Sequence, residues 1–184
     1  MELIKELKQS KIIKNVLIAL MGTVLLAISS KIKIPFYPVP MTMQTLVVLF
    51  LGITLGWKLG VATVALYLFE GIIGLPVFSG SPEKGFGIVY FTGPTMGYLI
   101  GFLFTVYFAG FFKFNKNIFI KFLQLIFSVS FIYILGIFWL GNLIGWEKPL
   151  FKLGVQPFLL AELFKILIVL FSLSKLKKLN QYLQ

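Results

Sequence analysis

The chain has 184 residues, of which 59% are hydrophobic and only 12% charged, and its mean hydropathy is +0.98. Soluble domains are about a quarter charged, so this composition indicates an integral membrane protein. The chain contains no His, Cys, Arg or Asp, so we expect no zinc, haem or iron–sulfur site, no cofactor and no catalysis based on His or Cys.

Six apolar segments, separated by Pro, Gly and Lys clusters, predict an all-α bundle of six membrane spans. Each segment is near the ~17–25 residues that a helix needs to cross a bilayer. No polar linker divides the chain, so residues 1–184 are predicted to form a single membrane domain. The predicted spans cover about 13–30, 41–56, 59–75, 88–112, 118–143 and 157–173.

The 17 basic residues, all Lys, predict the orientation of the bundle. Six spans place both termini on the same side, and most of the lysines fall on that side. Lys31, Lys33, Lys84, Lys148 and Lys152 fall on the other side. Because cytoplasmic segments carry the excess of basic residues, both termini are predicted to be cytoplasmic. The net charge of +11 then requires no nucleic-acid partner.

Small residues recur at four-residue spacing in the first and fourth spans. They are Ala19, Thr23 and Ala27 in the first span, and Gly93, Gly97 and Gly101 in the fourth. Such stripes let helices approach closely in lipid. Two interpretations stay open, namely packing within the bundle and a docking face for another membrane protein.

Two connections on the outer side differ from ordinary loops. Residues 31–40 contain three prolines, which remove backbone donors and stiffen the segment. Residues 74–87 combine many glycines with Phe78 and Phe86. That combination is typical either of a lid that closes over a ligand or of a glycine-rich reversal between two spans.

The few polar side chains inside the spans are predicted to lie at one depth, toward the outside. They are Gln44, Glu70, Asn142, Gln156, Glu162 and Lys165. Phe and Tyr are abundant around them, with 21 and 7 residues in the chain. A wall of apolar and aromatic side chains with a few placed polar groups is typical of a small-molecule site. We therefore expect a cavity that captures a small, partly polar molecule from outside.

Glu162 and Lys165 are the most informative of these polar residues. They are three residues apart, so they share one face of a helix and can touch. An ionised side chain at membrane depth costs roughly 2.5–3.5 kcal/mol, and such residues are functional by default. The pair is therefore the first candidate for a binding site, and the alternative is an internal ion pair that serves packing.

Three stretches of the chain resemble the BioY family. Pro-Val-Pro-Met-Thr-Met-Gln-Thr-Leu at 38–46 resembles the start of its second helix. Residues 74–80 followed by 90–102 resemble its third loop and fourth helix, and residues 154–165 resemble its sixth helix. The similarity runs over nearly the whole chain in order and spacing, and three separate motifs make it specific.

BioY proteins are the biotin-binding S components of energy-coupling factor (ECF) transporters. The resemblance implies a six-helix subunit of the bacterial cell membrane that captures biotin and is not an enzyme. It also implies partners, namely a transmembrane T component and two cytoplasmic ATPases. The stripe of Ala19, Thr23 and Ala27 would then dock onto the T component.

The resemblance supplies a set of candidate biotin-binding residues. They are Glu162, Lys165, Gln44, Phe78, Lys84, Tyr90 and Tyr98. Glu162 can accept from the ureido N–H groups of biotin, and Lys165 can donate to the ureido carbonyl or to the carboxylate tail. Gln44 can serve either end, and the three aromatic residues are candidates for wall or lid contacts.

The chain departs from the family pattern at two places. Leu160-Ala161-Glu162 stands where the sixth helix usually has Pro-Gly-Asp, which moves the carboxylate one methylene further from the backbone. Residues 81–84 interrupt what is normally a short glycine run. There Lys84 offers a point charge where some members carry the planar fork of Arg.

Three other functions stay open. The chain could be an S component for another vitamin, or a stand-alone carrier driven by a gradient with Glu162 as its proton site. An intramembrane enzyme is the third alternative. The missing His, Asp and Cys weigh against it, because only Glu, Lys, Ser and Tyr remain as catalysts.

Overall fold

The computed structural model describes residues 2–83, 85–114 and 117–183, with side chains from residue 11 onward. This part of the chain is nearly all helical. Its helices are α1 (Glu2–Lys31), α2 (Gln44–Ile72), α3 (Gly87–Phe91), α4 (Met96–Phe111), α5 (Ile118–Ile144), α6 (Leu150–Gly154) and α7 (Leu159–Leu183). A 3-10 turn, Gln156–Phe158, precedes α7. Two short antiparallel strands, β1 (Lys33–Ile34) and β2 (Met41–Thr42), form a hairpin between α1 and α2.

A backbone kink divides α2 into the predicted second and third spans. Gly56 interrupts the helix with φ 74° and ψ 170°, in the left-handed region that glycine enters without steric cost. The carbonyl of Thr54, just before the kink, accepts a hydrogen bond from Asn180 Nδ2 at 2.8 Å. Counting the halves of α2 separately, the described chain contains six long helical segments, which confirms the predicted all-α bundle.

Four helices of the described chain are long and apolar enough to cross a membrane. They are residues 11–31 of α1, the whole of α2, the whole of α5, and the segment 150–183 that contains α7. α4 is apolar but shorter, with 16 residues. The chain is therefore a multi-pass membrane protein. Its orientation, with both termini in the cytoplasm, stays a prediction.

The predicted fourth span, about 88–112, consists of two helices, α3 and α4, joined by a turn. Pro94 explains the break, because proline lacks a backbone donor and disfavours the helical conformation of the residue before it. In the turn, the carbonyl of Gly93 accepts from the Met96 amide at 3.2 Å and from Trp139 Nε1 on α5 at 2.9 Å. The last helix also differs from the prediction, since α7 continues to Leu183 rather than ending near residue 173.

The glycine stripe of the fourth span packs inside the bundle. A Cβ on Gly101 would lie only 2.5 Å from the Cα of Ile132, so α4 and α5 are in backbone contact there. Nearby, Thr105 Oγ1 donates to the carbonyl of Ser128 at 2.8 Å and joins the same two helices. Between the two interpretations of this stripe, the structure selects packing.

The first-span stripe is largely buried against α2. Ala19 is 7% exposed and Thr23 is 2% exposed, and Ala27 is half-buried. A Cβ on the neighbouring Gly22 would lie 2.5 Å from Thr63 on α2, which shows how closely the two helices approach. The exposed face of α1 instead carries large apolar side chains, among them Leu17 and Met21. In this conformation a partner can reach Ala27, and it cannot reach Ala19 or Thr23.

Replacing Gly101 with Ala should destabilise the bundle. The added methyl group meets the α5 backbone, and overpacking of this kind costs about 1–3 kcal/mol. Unfolding by SDS, followed by circular dichroism, measures the change. Ala65→Val is the matched control, because it adds atoms at an exposed position of α2. Equal stability of Gly101→Ala and the parent would contradict close packing at this position.

Candidate functional site

One cavity lies at the end of the bundle that carries the β1–β2 hairpin. About 530 Å³ of space, counting the mouth that opens to solvent, lies between its lining atoms. The part that admits the centre of a water-sized sphere is about 50 Å³, so the site is narrow in this conformation. The lining comes from the hairpin, the start of α2, the 74–87 loop, α3, α4, α5, the 3-10 turn and α7.

Glu162 and Lys165 form a buried ion pair at the start of α7. Their Oε1 and Nζ atoms are 2.6 Å apart, and the residues are only 5% and 4% exposed. The ammonium also donates to the carbonyl of Thr42 at 2.7 Å, and Thr45 Oγ1 donates to Glu162 Oε1 at 3.1 Å. Several partners therefore hold one oxygen of the carboxylate and neutralise its charge.

The second oxygen of Glu162, Oε2, is buried and has no hydrogen bond of standard geometry within the described chain, and the Tyr133 hydroxyl lies near the same carboxylate. Glu162 lines the cavity, whereas Lys165 is not among the described residues that line it. A buried acceptor without a partner costs about 1–3 kcal/mol, more when it is charged. A ligand with an N–H donor at this position would satisfy it.

Gln44 lies at the first position of α2 and lines the cavity beside the pair. Its Nε2 donates to the hydroxyl of Tyr67 at 2.8 Å, and its Oε1 accepts from Thr42 Oγ1 at 3.2 Å. Since an amide carries two N–H donors, one remains for a ligand. Tyr67 in turn donates to the carbonyl of Val77 at 3.0 Å, which connects the floor of the cavity to the 74–87 loop.

The 74–87 loop covers the cavity with Phe78, which is 1% exposed. The Phe78 ring stacks on Tyr90 with 5.1 Å between ring centres and meets the edge of Tyr67 at 5.5 Å. The Tyr90 hydroxyl is 3.2 Å from Ser79 Oγ and accepts from the Gly80 amide at 3.1 Å. Residues 78–80 of the loop are therefore folded onto the site as a cap.

Tyr98 contributes to the opposite wall. Its hydroxyl donates to the carbonyl of Gly154 at 3.0 Å and joins α4 to α6. Its ring meets the edge of Tyr133 at 6.2 Å, and Tyr133 lies against Phe158 at the same distance. These contacts give the cavity a continuous aromatic side between α4, α5 and the 3-10 turn.

The structure brings together most of the predicted site residues. Gln44, Phe78, Tyr90, Tyr98 and Glu162 all line the cavity, and Lys165 lies behind Glu162. The predicted Lys84 lies outside the described residues.

The wider polar cluster expected at one depth does not form. Glu70 is half-buried and is not among the described lining residues, and Gln156 is exposed. Asn142 is also exposed, and its Nδ2 donates to the Phe138 carbonyl at 2.8 Å. The cluster does not form because residues at the same depth on different helices can still face different directions around their helix axes.

Sequence reasoning missed Tyr67, Tyr133, Phe158, Thr45 and Ser79. Tyr133 lies in a helix that is apolar on all sides, so no periodicity distinguishes the rings that face inward. Thr45 offered a weak signal, since it follows the singled-out Gln44 directly. Tyr67 lies one helical turn before Glu70. A single hydroxyl among apolar neighbours produces no periodic pattern in the sequence.

The cavity combines one open carboxylate oxygen, one amide donor, several hydroxyl groups and an aromatic wall. No lysine is found among its described lining residues. It therefore suits a molecule with N–H donors at one end and an apolar body, and the described part of its interior offers nothing cationic for an anionic group.

Comparison with known proteins gives consistent matches over nearly the full length. The family model described as "BioY family" matches residues 4–182. A probable biotin transporter BioY of Pyrococcus horikoshii is 33% identical over 83% of this chain and 89% of its own. A biotin transporter BioY of Thermotoga maritima is 34% identical over 86% of this chain and 92% of its own.

One solved structure shares the fold. It is described as the S-component for biotin from an ECF-type ABC transporter. The two structures superpose with a TM-score of 0.75 and 28% sequence identity, over 92% of this chain and 93% of the other. This likeness extends to the whole bundle and not to one helix pair.

Removing the cation of the buried pair should destabilise the protein strongly. In Lys165→Met the carboxylate loses its counter-charge, and breaking a buried pair in this way costs about 3–5 kcal/mol. The double variant Glu162→Gln/Lys165→Met should recover a large part of that loss, because no unpaired charge remains. Thermal unfolding in detergent measures both.

Lys152→Met is the control for this comparison, since it removes an exposed lysine from α6. Equal melting temperatures of Lys165→Met and Lys152→Met would show that the ion pair between Glu162 and Lys165 does not stabilise the fold.

Proposed function

The chain belongs to the BioY family, and we propose that it captures biotin from outside the cell as the S component of an ECF transporter. The observation that carries this proposal is the partnerless Oε2 of Glu162, within the described chain, in an aromatic cavity. Biotin has a ureido head with two N–H donors, an apolar bicyclic body and a carboxylate tail. The cavity offers a complement to the first two of these parts.

The charge distribution supports one orientation of biotin. A ureido N–H donates to Glu162 Oε2, and the remaining N–H of Gln44 Nε2 donates to the ureido carbonyl. The bicyclic body lies against Tyr133 and Phe158. The carboxylate tail points to the mouth, because the interior lining offers an acidic side chain and no described lysine.

Lys165 then acts through Glu162 rather than on biotin. It donates to Oε1 and fixes that oxygen, so that Oε2 stays oriented as the acceptor. This differs from the expectation that Lys165 donates to the ligand. No covalent step is involved, since binding alone accounts for every group in the cavity.

Transport requires partners that would supply energy and a pathway. The proposed partners are a transmembrane T component and two cytoplasmic ATPases, in the plasma membrane of a bacterial cell. With both termini cytoplasmic, the cavity at the hairpin end opens to the outside. Docking along α1 is consistent with the accessible Ala27, whereas a role for Ala19 and Thr23 requires α1 to move away from α2.

Labelled biotin should bind to the detergent-purified protein in competition with unlabelled biotin, and riboflavin and thiamine should not displace it. Displacement by either vitamin would identify an S component of different specificity. Vesicles that contain the chain alone should accumulate no biotin. Uptake driven by a proton gradient, without any ATPase, would identify a stand-alone carrier instead.

Glu162→Gln should weaken biotin binding about 10- to 150-fold, because a hydrogen bond to a charged group contributes about 1.5–3 kcal/mol. Glu70→Gln is the matched control, since it neutralises a glutamate that is not among the described lining residues. Isothermal titration of both variants measures the difference.

Two modified biotins test the orientation in the same assay. Biotin whose ureido nitrogens are blocked should bind weakly to the parent protein, and Glu162→Gln should hardly change its affinity. Biotin methyl ester should bind almost as well as biotin, and Glu162→Gln should weaken its binding as much as it weakens the binding of biotin. The reverse pattern would place the carboxylate tail at the polar end of the cavity and overturn the orientation.

A further inference from the structure

The end of α1 and strand β1 hold the loop that covers the cavity through hydrogen bonds to its backbone carbonyls. We name residues 77–81 the cap segment. Three side chains donate to four of its carbonyls, each at 2.7 Å. The pairs are Ser30 Oγ with Val77 O, Lys31 Nζ with Phe78 O and Ser81 O, and Lys33 Nζ with Ser79 O.

These donors contact the same residues whose side chains close the site. Phe78 and Ser79 line the cavity with their side chains, while their carbonyls accept from Lys31 and Lys33. Neither lysine is among the described lining residues. Their effect on a ligand is therefore indirect, through the position of the cap segment.

Lys31 makes the stronger attachment. Its ammonium bridges two carbonyls three residues apart through charge-assisted hydrogen bonds, whereas the residue as a whole is exposed, as Lys33 is. Lys33 binds a single carbonyl and shares its charge with Glu83 at 3.7 Å. The Lys33 and Glu83 side chains are 31% and 77% exposed, so solvent weakens that pair.

We propose that Lys31, assisted by Lys33, is a positioning residue that latches the cap segment over the bound ligand and sets how slowly the ligand leaves. The proposal rests on biotin capture in this cavity. It gives a role in retention to two lysines that lie on the predicted outer side, where the orientation rule does not account for them. Opening of the cap segment requires the ammonium of Lys31 to release Phe78 O and Ser81 O.

The chain contains no cysteine, so a single introduced thiol reports cap opening. Ser81 is 5% exposed and is not among the described lining residues, so Ser81→Cys serves as the reporter. Its hydroxyl also donates to Phe78 O at 2.9 Å, so every rate is compared within the Ser81→Cys background. In that background, Lys31→Met should raise the labelling rate by a membrane-impermeant maleimide. It should also speed biotin dissociation about tenfold or more, because two charge-assisted bonds are lost. Lys33→Met should show a smaller effect in the same direction.

Lys31→Arg keeps a charged donor and should restore slow labelling and slow dissociation. Lys152→Met is the matched control for the loss of an exposed lysine and should behave as the parent. A general loss of folding would lower the fraction of protein that binds without changing the dissociation rate of the rest. If Lys31→Met does not accumulate, Lys33→Met carries the same test.

Dissociation and labelling rates of Lys31→Met equal to those of Lys152→Met would overturn the latch. The proposed function fails separately, if the parent itself binds no biotin. The labelling rates still decide the latch in that case, because the thiol introduced by Ser81→Cys reports the cap segment with or without ligand.

Discussion

The candidate site depends on how one ion pair is kept inside a membrane-spanning bundle. An unpaired charge there costs several kcal/mol, so Glu162 and Lys165 must satisfy each other within the protein. The pairing is asymmetric, because Lys165 and Thr45 both use Oε1 while Oε2 stays without a partner in the described chain. The same arrangement that makes the carboxylate tolerable at this depth leaves one strong acceptor for a ligand. In the proposed site, stability and binding therefore rest on different oxygens of a single side chain.

A continuous hydrogen-bond network extends from this pair to the cap of the cavity. Lys165 binds the carbonyl of Thr42, whose hydroxyl donates to Gln44, and Gln44 donates to Tyr67. Tyr67 donates to the carbonyl of Val77 in the cap segment. Groups that line the cavity and groups that cover it are thus members of one network. A ligand that orders Gln44 also restrains the loop above it, without any direct contact to the loop backbone.

The sequence was sufficient for the bundle and for Gln44 and Glu162, two of the polar residues that line the cavity. Long apolar runs predict the helices, and charged residues within such a run are costly enough that Glu162 and Lys165 stand out. The aromatic side was not predictable in the same way, because α5 is apolar all round and its periodicity does not distinguish Tyr133 from its neighbours. The sequence also could not predict which member of the pair reaches the cavity, since helical spacing puts Glu162 and Lys165 on one face. Only side-chain packing decides that the carboxylate reaches the cavity and the ammonium does not.

The first helix connects the membrane-facing surface to the cap. Its small residues Ala19 and Thr23 are buried against α2, its outward face is a row of large apolar side chains, and its end carries Ser30 and Lys31. A helix of this length moves nearly as a rigid rod, so displacing α1 from α2 also displaces its terminal residues from the cap carbonyls. Exposure of the small-residue stripe and release of the cap segment are then two consequences of one movement. A partner that binds the stripe would therefore release the cap segment by moving α1, because the stripe and the donors to the cap carbonyls lie on the same helix.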